Sequence, residues 1–234
     1  VFATYLINYT IPRAGEVARA SILTNYEGVP FEKGFGTIVA ERIADLIVMI
    51  GIISVTLFLQ FDFIYQFLAE RFNPSFIFLG LAVLFLAFII FTQYIQKSKS
   101  AFAVRIKTFV NGLVEGALSI FKMKKKWAFI FHTFFIWGMY LLMFYTTSLS
   151  IEELNGIPIG AVLIGFISAS FSIAATNGGI GSYPVAVFAA FSIFGIAKEP
   201  SIAFGWIMWT SQTIMIIVLG GISLLYLPIF NRKK

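Results

Sequence analysis

Charged side chains interrupt an apolar stretch around Glu41 in a pattern that could bind a phosphate group. Glu41 and Asp45 are four residues apart, so both carboxylates lie on one face of a helix, with Arg42 beside them. A guanidinium group binds phosphate through a fork of N–H donors, and a neighbouring carboxylate can hold it in position. We therefore predict that Arg42 binds an anion while Glu41 and Asp45 orient it; a purely structural ion pair is the alternative.

A second charged group follows Pro12, where Arg13, Glu16 and Arg19 recur at a spacing of three residues. Proline suits the first turn of a helix because it lacks an N–H group and presets φ. A helix that begins here directs free N–H groups and the positive end of its dipole toward the break, and these favour a bound anion. We predict an anion site; the alternative is an interfacial helix whose charges face water.

A glycine-rich break forms the third candidate element, with Asn177, Gly178, Gly179 and Gly181. Glycine adopts positive φ readily, and successive N–H groups in such a turn can form a nest for an anion. Breaks at corresponding places in two halves of an apolar chain point to the binding site of a membrane transporter. We therefore predict that these residues and those after Pro12 bind one lipid phosphate.

The composition places these residues in a membrane protein. The chain is 59% hydrophobic and 12% charged, whereas a soluble domain has about 25% charged residues. Apolar runs of about 20 residues predict membrane-crossing helices. The net charge of +6 lies mainly in short loops and at the C-terminus, where it orients the chain and meets anionic lipids, so no nucleic acid partner is predicted. The sequence has no cysteine, and we predict no catalytic residue, no metal site and no cofactor.

We predict an all-α fold, a polytopic helical membrane bundle in which two re-entrant, broken helix pairs form an inverted repeat. An apolar segment is already under way at Val1, so we expect this single membrane domain, residues 1–234, to lack upstream spans. It divides into a first re-entrant element (1–28), two spans (34–95), a basic cytoplasmic interfacial helix (96–126), a span (127–147), a second re-entrant element (158–196) and a last span (202–228).

Basic residues predict the orientation of the chain. Lysine and arginine are concentrated in residues 96–126, whereas Glu152 and Glu153 follow the next span, so the positive-inside rule places the first loop in the cytoplasm and the second outside. The basic tail, residues 232–234, places the C-terminus in the cytoplasm. An odd number of crossings must therefore separate Glu153 from the C-terminus. Either three short crossings or one re-entrant hairpin and one crossing satisfy this condition, and the short arm after Gly181 favours the hairpin. The two breaks then enter from opposite faces.

Three motifs follow one another along the chain: Asn8-x-x-x-Pro12-Arg13-Ala14-Gly15-Glu16-x-x-Arg19, Glu41-Arg42-x-x-Asp45 and Gly178-Gly179-Ile180-Gly181. This pattern resembles the membrane region of bacterial lysylphosphatidylglycerol synthase/flippases and of the flippase-like proteins that share it. The resemblance covers nearly the whole chain. It implies two re-entrant helices within a bundle in the bacterial inner membrane, and movement of a lipid between leaflets. Many relatives have a glutamate after the glycines, where Ser182-Tyr183-Pro184 follow here.

The leading hypothesis is a flippase-like membrane protein, not an enzyme, that translocates an aminoacyl-phospholipid or a lipid of the polyprenyl-phosphate type. Its expected partners are membrane lipids, either anionic phospholipid or polyprenyl phosphate, and a homo-oligomer or a lipid-modifying enzyme stays open. The alternative is a non-transporting accessory or scaffold protein for an enzyme that modifies membrane lipids or glycans. A third interpretation, an intramembrane hydrolase built on Ser182 and His132, lacks an identifiable orienting acid or oxyanion element. The headgroup, direction and energy source stay open.

Overall fold

The computed structural model describes residues 1–12, 14–71 and 73–231. These residues form ten α-helices and a 3₁₀ turn and contain no strand, which confirms the predicted all-α class. Arg13 and the basic tail, residues 232–234, lie outside the described residues, so the predictions that rest on them stay predictions. The helices are α1 (Phe2–Thr10), α2 (Ala14–Glu27), α3 (Phe31–Leu59), α4 (Phe61–Arg71), α5 (Pro74–Lys97), α6 (Ala101–Lys122), α7 (Lys126–Ser148), α8 (Ile159–Ala175), α9 (Ser182–Ser192) and α10 (Lys198–Phe230).

Four of the described helices are long and apolar enough to cross a membrane. They are α3, the part of α5 from Phe78 to Lys97, α7 and α10, and they correspond to the four predicted spans. Most side chains in these helices are not buried inside the protein, as expected where lipid is the solvent. The chain is therefore a multi-pass membrane protein.

The first two helices form a helical hairpin, which we call hairpin 1. Asn8 near the end of α1 accepts a hydrogen bond from the N–H of Gly15, in the first turn of α2, at 2.7 Å. A Cβ added at Gly15 would also meet the carbonyl of Thr4, so α2 folds back along α1. α1 ends before Pro12 because proline disfavours helical φ and ψ at the preceding residue, and Ile11 is extended, with φ −129° and ψ 109°.

Helices α8 and α9 form a second hairpin, hairpin 2. Ser172 donates a hydrogen bond to Ser182 at 2.7 Å beside the break. Farther from the break, a Cβ added at Gly165 would lie 2.6 Å from the ring of Phe191, so these helices also run in opposite directions. α8 ends where the glycine-rich segment begins, since glycine is a poor helix former.

Helix α10 contacts both hairpins along its length. Near its start it packs on α9, where Gly205 lies directly against the backbone of Pro184. Near its end it packs on α1, where a Cβ added at Gly220 would lie 2.7 Å from the Cβ of Leu6. Hairpin 2 and hairpin 1 therefore approach α10 from opposite ends.

Helix α3 contacts the hairpins in the reverse order. Its first turn packs on α2, where Gly34 and Ala20 are in van der Waals contact. At its far end the side chain of Gln60 lies against Gly160 at the start of α8. Helix α3 thus packs on α2, the second arm of hairpin 1, and on α8, the first arm of hairpin 2. Helix α10 likewise packs on α9, the second arm of hairpin 2, and on α1, the first arm of hairpin 1.

An aromatic core fixes hairpin 2 against α7 and α10. Phe144, Phe191 and Phe204 are fully buried and pack together with Phe166. Phe144 meets Phe204 edge to face, with ring centroids 4.8 Å apart. Such pairs add about 0.5–1.5 kcal/mol beyond the burial of apolar area, so this hairpin has a rigid support.

The remaining helices connect these parts. Ile120 of α6 packs on Ala40 and Ala44 of α3, and the interfacial position predicted for α6 stays a prediction. The short helix α4 was not indicated by the apolar runs, because it has 11 residues and charged ends. Phe63 of α4 stacks on Phe194 after α9, with ring centroids 4.4 Å apart.

Candidate functional site

The tips of the two hairpins touch. The side-chain amide of Asn177 donates a hydrogen bond to the carbonyl oxygen of Tyr9 at 3.3 Å. Gly178 lies beneath the ring of Tyr9, and a Cβ added there would lie 3.1 Å from the ring. This contact explains why a glycine occupies position 178, because both its φ of 68° and its lack of a side chain are needed there.

Hydroxyl groups hold the irregular backbone of the second tip. Thr176 accepts a hydrogen bond from the N–H of Gly179 at 3.1 Å and donates one to the carbonyl of Ser172 at 2.7 Å. The hydroxyl of Ser182 lies 3.0 Å from that of Thr176. These bonds satisfy backbone groups freed by the break. Sequence analysis missed this cluster, whose signal is hydroxyl residues on both sides of a glycine run.

The N–H groups of this turn are bonded within it, which differs from the predicted anion nest. The N–H of Gly178 bonds to the carbonyl of Thr176 at 3.0 Å, and the N–H of Gly179 bonds to the Thr176 hydroxyl. Both groups are occupied because buried N–H groups must find partners. Gly181 has a φ of 70° and directly precedes α9. At this tip the hydroxyl and amide side chains, rather than these two N–H groups, are the polar groups offered to a ligand.

Helix α10 holds both tips in place. The indole N–H of Trp209 donates a hydrogen bond to the carbonyl of Gly178 at 2.8 Å. One turn further, the hydroxyl of Thr213 lies 3.3 Å from that of Tyr9. At ~1.5 Å per residue, these two residues lie about 17 to 23 Å along a helix of about 50 Å, so the tips meet close to its middle. Sequence analysis did not find Tyr9, Trp209 or Thr213, since none carries a charge or a motif.

The charged residues of α2 and α3 pair differently from the prediction. Arg19 binds Glu41 through two hydrogen bonds of 2.6 and 2.9 Å. Arg42 therefore has only Asp45 as an ion-pair partner among the described residues, at 3.5 Å. Asp45 also accepts a hydrogen bond from the indole of Trp137 at 3.0 Å. Glu41 thus orients Arg19 rather than Arg42, because α2 brings Arg19 onto the face of α3 that carries Glu41.

Glu16 lies in the first turn of α2, close to the first tip. Its Oε2 atom is buried and has no hydrogen-bond partner among the described residues. The adjacent N–H of Gly15 is already bonded to Asn8, so one of the helix N–H groups predicted to face an anion is occupied. Arg13, the other residue predicted to bind an anion at this tip, lies outside the described residues.

The structure does not bring together the pair considered for a hydrolase. Ser182 bonds to Ser172 and Thr176, whereas the ring of the exposed His132 packs edge to face on Phe131 in α7. No contact within the described parts of the chain joins Ser182 to His132. Together the two tips and the α3 charges place hydrogen-bond donors and cationic groups on an otherwise apolar bundle.

A bundle of apolar helices with two broken hairpins and intramembrane charges defines a polytopic helical membrane protein. Residues 1–221 match the family described as the lysylphosphatidylglycerol synthase TM region. The chain belongs to this family, which confirms the resemblance noted in the sequence. Neither the comparison with curated proteins nor the comparison with solved structures gave a match.

Proposed function

We propose that this protein moves a lipid with a phosphate-containing headgroup between the leaflets of a membrane. The observation that carries this proposal is the contact between the two hairpin tips near the middle of α10, where Tyr9, Gly178 and Trp209 meet. Irregular backbone within a bilayer is tolerated only where it is buried in protein or lines a cavity. A polar junction at this depth therefore supports a functional role. It offers a headgroup a path across the apolar region.

The two hairpins act as re-entrant elements of an inverted repeat in this proposal. The packing of α3 and α10 supports an inverted repeat, because each of these two helices packs on the second arm of one hairpin and on the first arm of the other. Loop charges support opposite entry, with basic residues in 96–126 and acidic residues at Glu152 and Glu153. The protein would lie in the bacterial inner membrane, with its C-terminus in the cytoplasm.

The headgroup phosphate would be bound by cationic groups of the first half of the chain and by side-chain amide and hydroxyl groups at the tips. Arg42 is a described cation with free donors, because its contact to Asp45 is long, at 3.5 Å, whereas Arg19 is engaged by Glu41. The acyl or polyprenyl chains would stay in lipid while the headgroup passes. No covalent step is proposed; the chain binds and orients an anionic phospholipid or a polyprenyl phosphate.

Reconstitution in vesicles tests this function. Fluorescent phosphatidylglycerol and a labelled polyprenyl phosphate are incorporated, and an impermeant quencher reports how fast each label reaches the outer leaflet. The wild type should exceed protein-free vesicles, and Gly178→Val should not, because the valine would meet Tyr9 at a positive φ. Gly221→Val is the matched control, since a Cβ there meets nothing within 4 Å. A wild-type rate equal to that of empty vesicles for both lipids would contradict the proposal.

A further inference from the structure

A polar patch lies on the outer surface between α1, α3 and α7. The ring of Tyr140 in α7 meets that of Trp137 edge to face, with centroids 6.3 Å apart, and Trp137 bonds to Asp45, the ion-pair partner of Arg42 in α3. Tyr5 of α1 also lies beside Tyr140, with the two side chains within hydrogen-bond reach of each other. The side chain of Arg42 is 55% exposed, although this residue belongs to a membrane-spanning helix. An exposed charge in such a helix costs about 2.5–3.5 kcal/mol on insertion scales, so a bound anion at this patch would stabilise the protein further.

The patch has the chemistry of an anion site. The negative charge of Asp45 is already satisfied by the indole of Trp137 at 3.0 Å and by Arg42 at 3.5 Å. The contact to Arg42 is long, so most of its five N–H donors stay free for another acceptor. The hydroxyls of Tyr5 and Tyr140 are bonded to each other, so the pair leaves one O–H donor for a further acceptor. The ligand that suits one guanidinium and two phenols is a phosphate.

The patch is connected to the hairpin tips along α1. Tyr5 and Tyr9 are four residues apart and lie on the same face of this helix, about 6 Å from each other. Tyr9 contacts Gly178 and Thr213 at the junction of the tips. A headgroup bound at Arg42 is therefore one helical turn away from the junction.

We propose that Arg42, Tyr5 and Tyr140 form a lateral entry site, at which a lipid phosphate leaves the surrounding leaflet before it reaches the hairpin tips. The proposal rests on the proposed transport function and places its phosphate contact at Arg42 at the beginning of the path, before the hairpin tips. The site takes its ligand from the membrane, because Arg42 and both tyrosines are exposed on the side of the bundle. Asp45 and Trp137 position the guanidinium group.

Photo-crosslinking in vesicles identifies what occupies the patch. Benzoylphenylalanine replaces Tyr140 in the full chain, in vesicles of phosphatidylglycerol and a phosphate-free glucosyl diacylglycerol, and mass spectrometry identifies the captured lipid. We expect phosphatidylglycerol to be enriched over its share in the vesicle, and Arg42→Gln to remove the enrichment. The matched control is the same replacement at Tyr145, which lies on the same helix and is 40% exposed against 43% for Tyr140. This position should capture both lipids in their bulk ratio.

Transport rates supply an independent test. Arg42→Gln should slow phosphatidylglycerol movement about tenfold, as expected for the loss of one charge-assisted hydrogen bond. Tyr140→Phe, which removes only a hydroxyl, should slow it less. Arg105→Gln on α6 makes the same change in charge at an exposed position, and Tyr145→Phe makes the same change in hydroxyl content; both should keep the wild-type rate.

The outcomes separate this inference from the transport function. Equal lipid ratios at positions 140 and 145, or capture of protein instead of lipid at position 140, would overturn the entry site. Wild-type rates in both Arg42→Gln and Tyr140→Phe would also overturn it, while transport itself would stand. If the wild type moves no lipid but position 140 still captures phosphatidylglycerol selectively, the transport function fails and the phosphate site remains.

Discussion

The two hairpins share a backbone arrangement but differ in chemistry. Hairpin 1 and α3 carry the ion pairs Arg19–Glu41 and Arg42–Asp45. Hairpin 2 and α10 have no ion pair among their described residues; hydroxyl groups and an indole N–H serve the broken backbone instead. The aromatic core also lies on the side of hairpin 2. Hairpin 1 thus lies among ion pairs, whereas hairpin 2 is neutral and packs on the aromatic core.

This difference shows two ways of stabilising a broken helix in a membrane. Neutral hydroxyls satisfy backbone groups without the cost of desolvating a charge. Ion pairs require more compensation, but they leave cationic groups near the surface that can attract an anion. We infer that hairpin 1 attracts the headgroup and that hairpin 2 supplies a fixed surface against which it passes. Four variants test this contrast.

The largest expected effect is on the packing of hairpin 2. Gly205→Ala should lower the free energy of unfolding by about 3 kcal/mol, because the new methyl group would meet the backbone of Pro184, which cannot move aside. Reversible unfolding in mixed micelles measures the change. Gly34→Ala is the corresponding change on the side of hairpin 1 and should be tolerated, since its neighbours lie 3.7 Å or more away. Equal losses in both variants would remove the contrast in packing.

The second effect concerns the ion pair of hairpin 1. Glu41→Gln should destabilise the protein by about 2 kcal/mol, because the half-buried Arg19 loses a charged partner. The double variant Arg19→Gln/Glu41→Gln should recover part of this loss, as a double-mutant cycle would detect. Glu32→Gln, at the exposed start of α3, is the control and should be neutral. A fully additive cycle would show that the pair contributes nothing as a pair.

A smaller effect is expected for the indole that holds the second tip. Trp209→Phe removes the N–H donor to the carbonyl of Gly178 and should cost about 1 kcal/mol. It should also slow lipid movement, because the tip loses a fixed contact with α10. Trp206→Phe tests the same substitution at a neighbouring exposed ring without a described hydrogen bond. If the two variants behave alike, the hydrogen bond of Trp209 has no role in stability or transport.

The smallest effect is expected at the tip of hairpin 1. Tyr9→Phe removes the 3.3 Å contact with Thr213 but keeps the ring over Gly178, so the loss should be about 0.5 kcal/mol. Tyr9→Ala removes the ring as well and should separate the tips, with a larger fall in transport rate than in stability. Equal transport rates in the two variants would show that the ring does not join the tips.

Sequence patterns predicted the parts of the fold that depend on local chemistry. The four spans follow from apolar runs, and the breaks follow from Pro12 and from the glycines after Asn177. The role of Gly178 as a break residue was predictable, because left-handed backbone favours glycine at any position. The bonds of Gly178 and Gly179 within the turn were not predictable, since Thr176 could have faced either the turn or lipid.

The charged residues of α2 and α3 show most clearly what could not be predicted from the sequence. Helical spacing indicated that Glu41, Arg42 and Asp45 lie close together, and it favoured pairing among them. The structure instead pairs Glu41 with Arg19, which is 22 residues away in the chain. Spacing along one helix cannot show which neighbouring helix supplies a competing cation, so the packing of α2 on α3 gave Glu41 to Arg19, while Arg42 kept Asp45.

The sequence by itself determined that this is a helical membrane protein of one family, with two broken segments, because composition, apolar length and short motifs are local properties. Only the tertiary structure decided that the breaks meet each other. Asn177 and Tyr9 are 168 residues apart, and their contact depends on α10 packing against both hairpins. The meeting of the tips is therefore a property of helix packing, which no local pattern of residues contains.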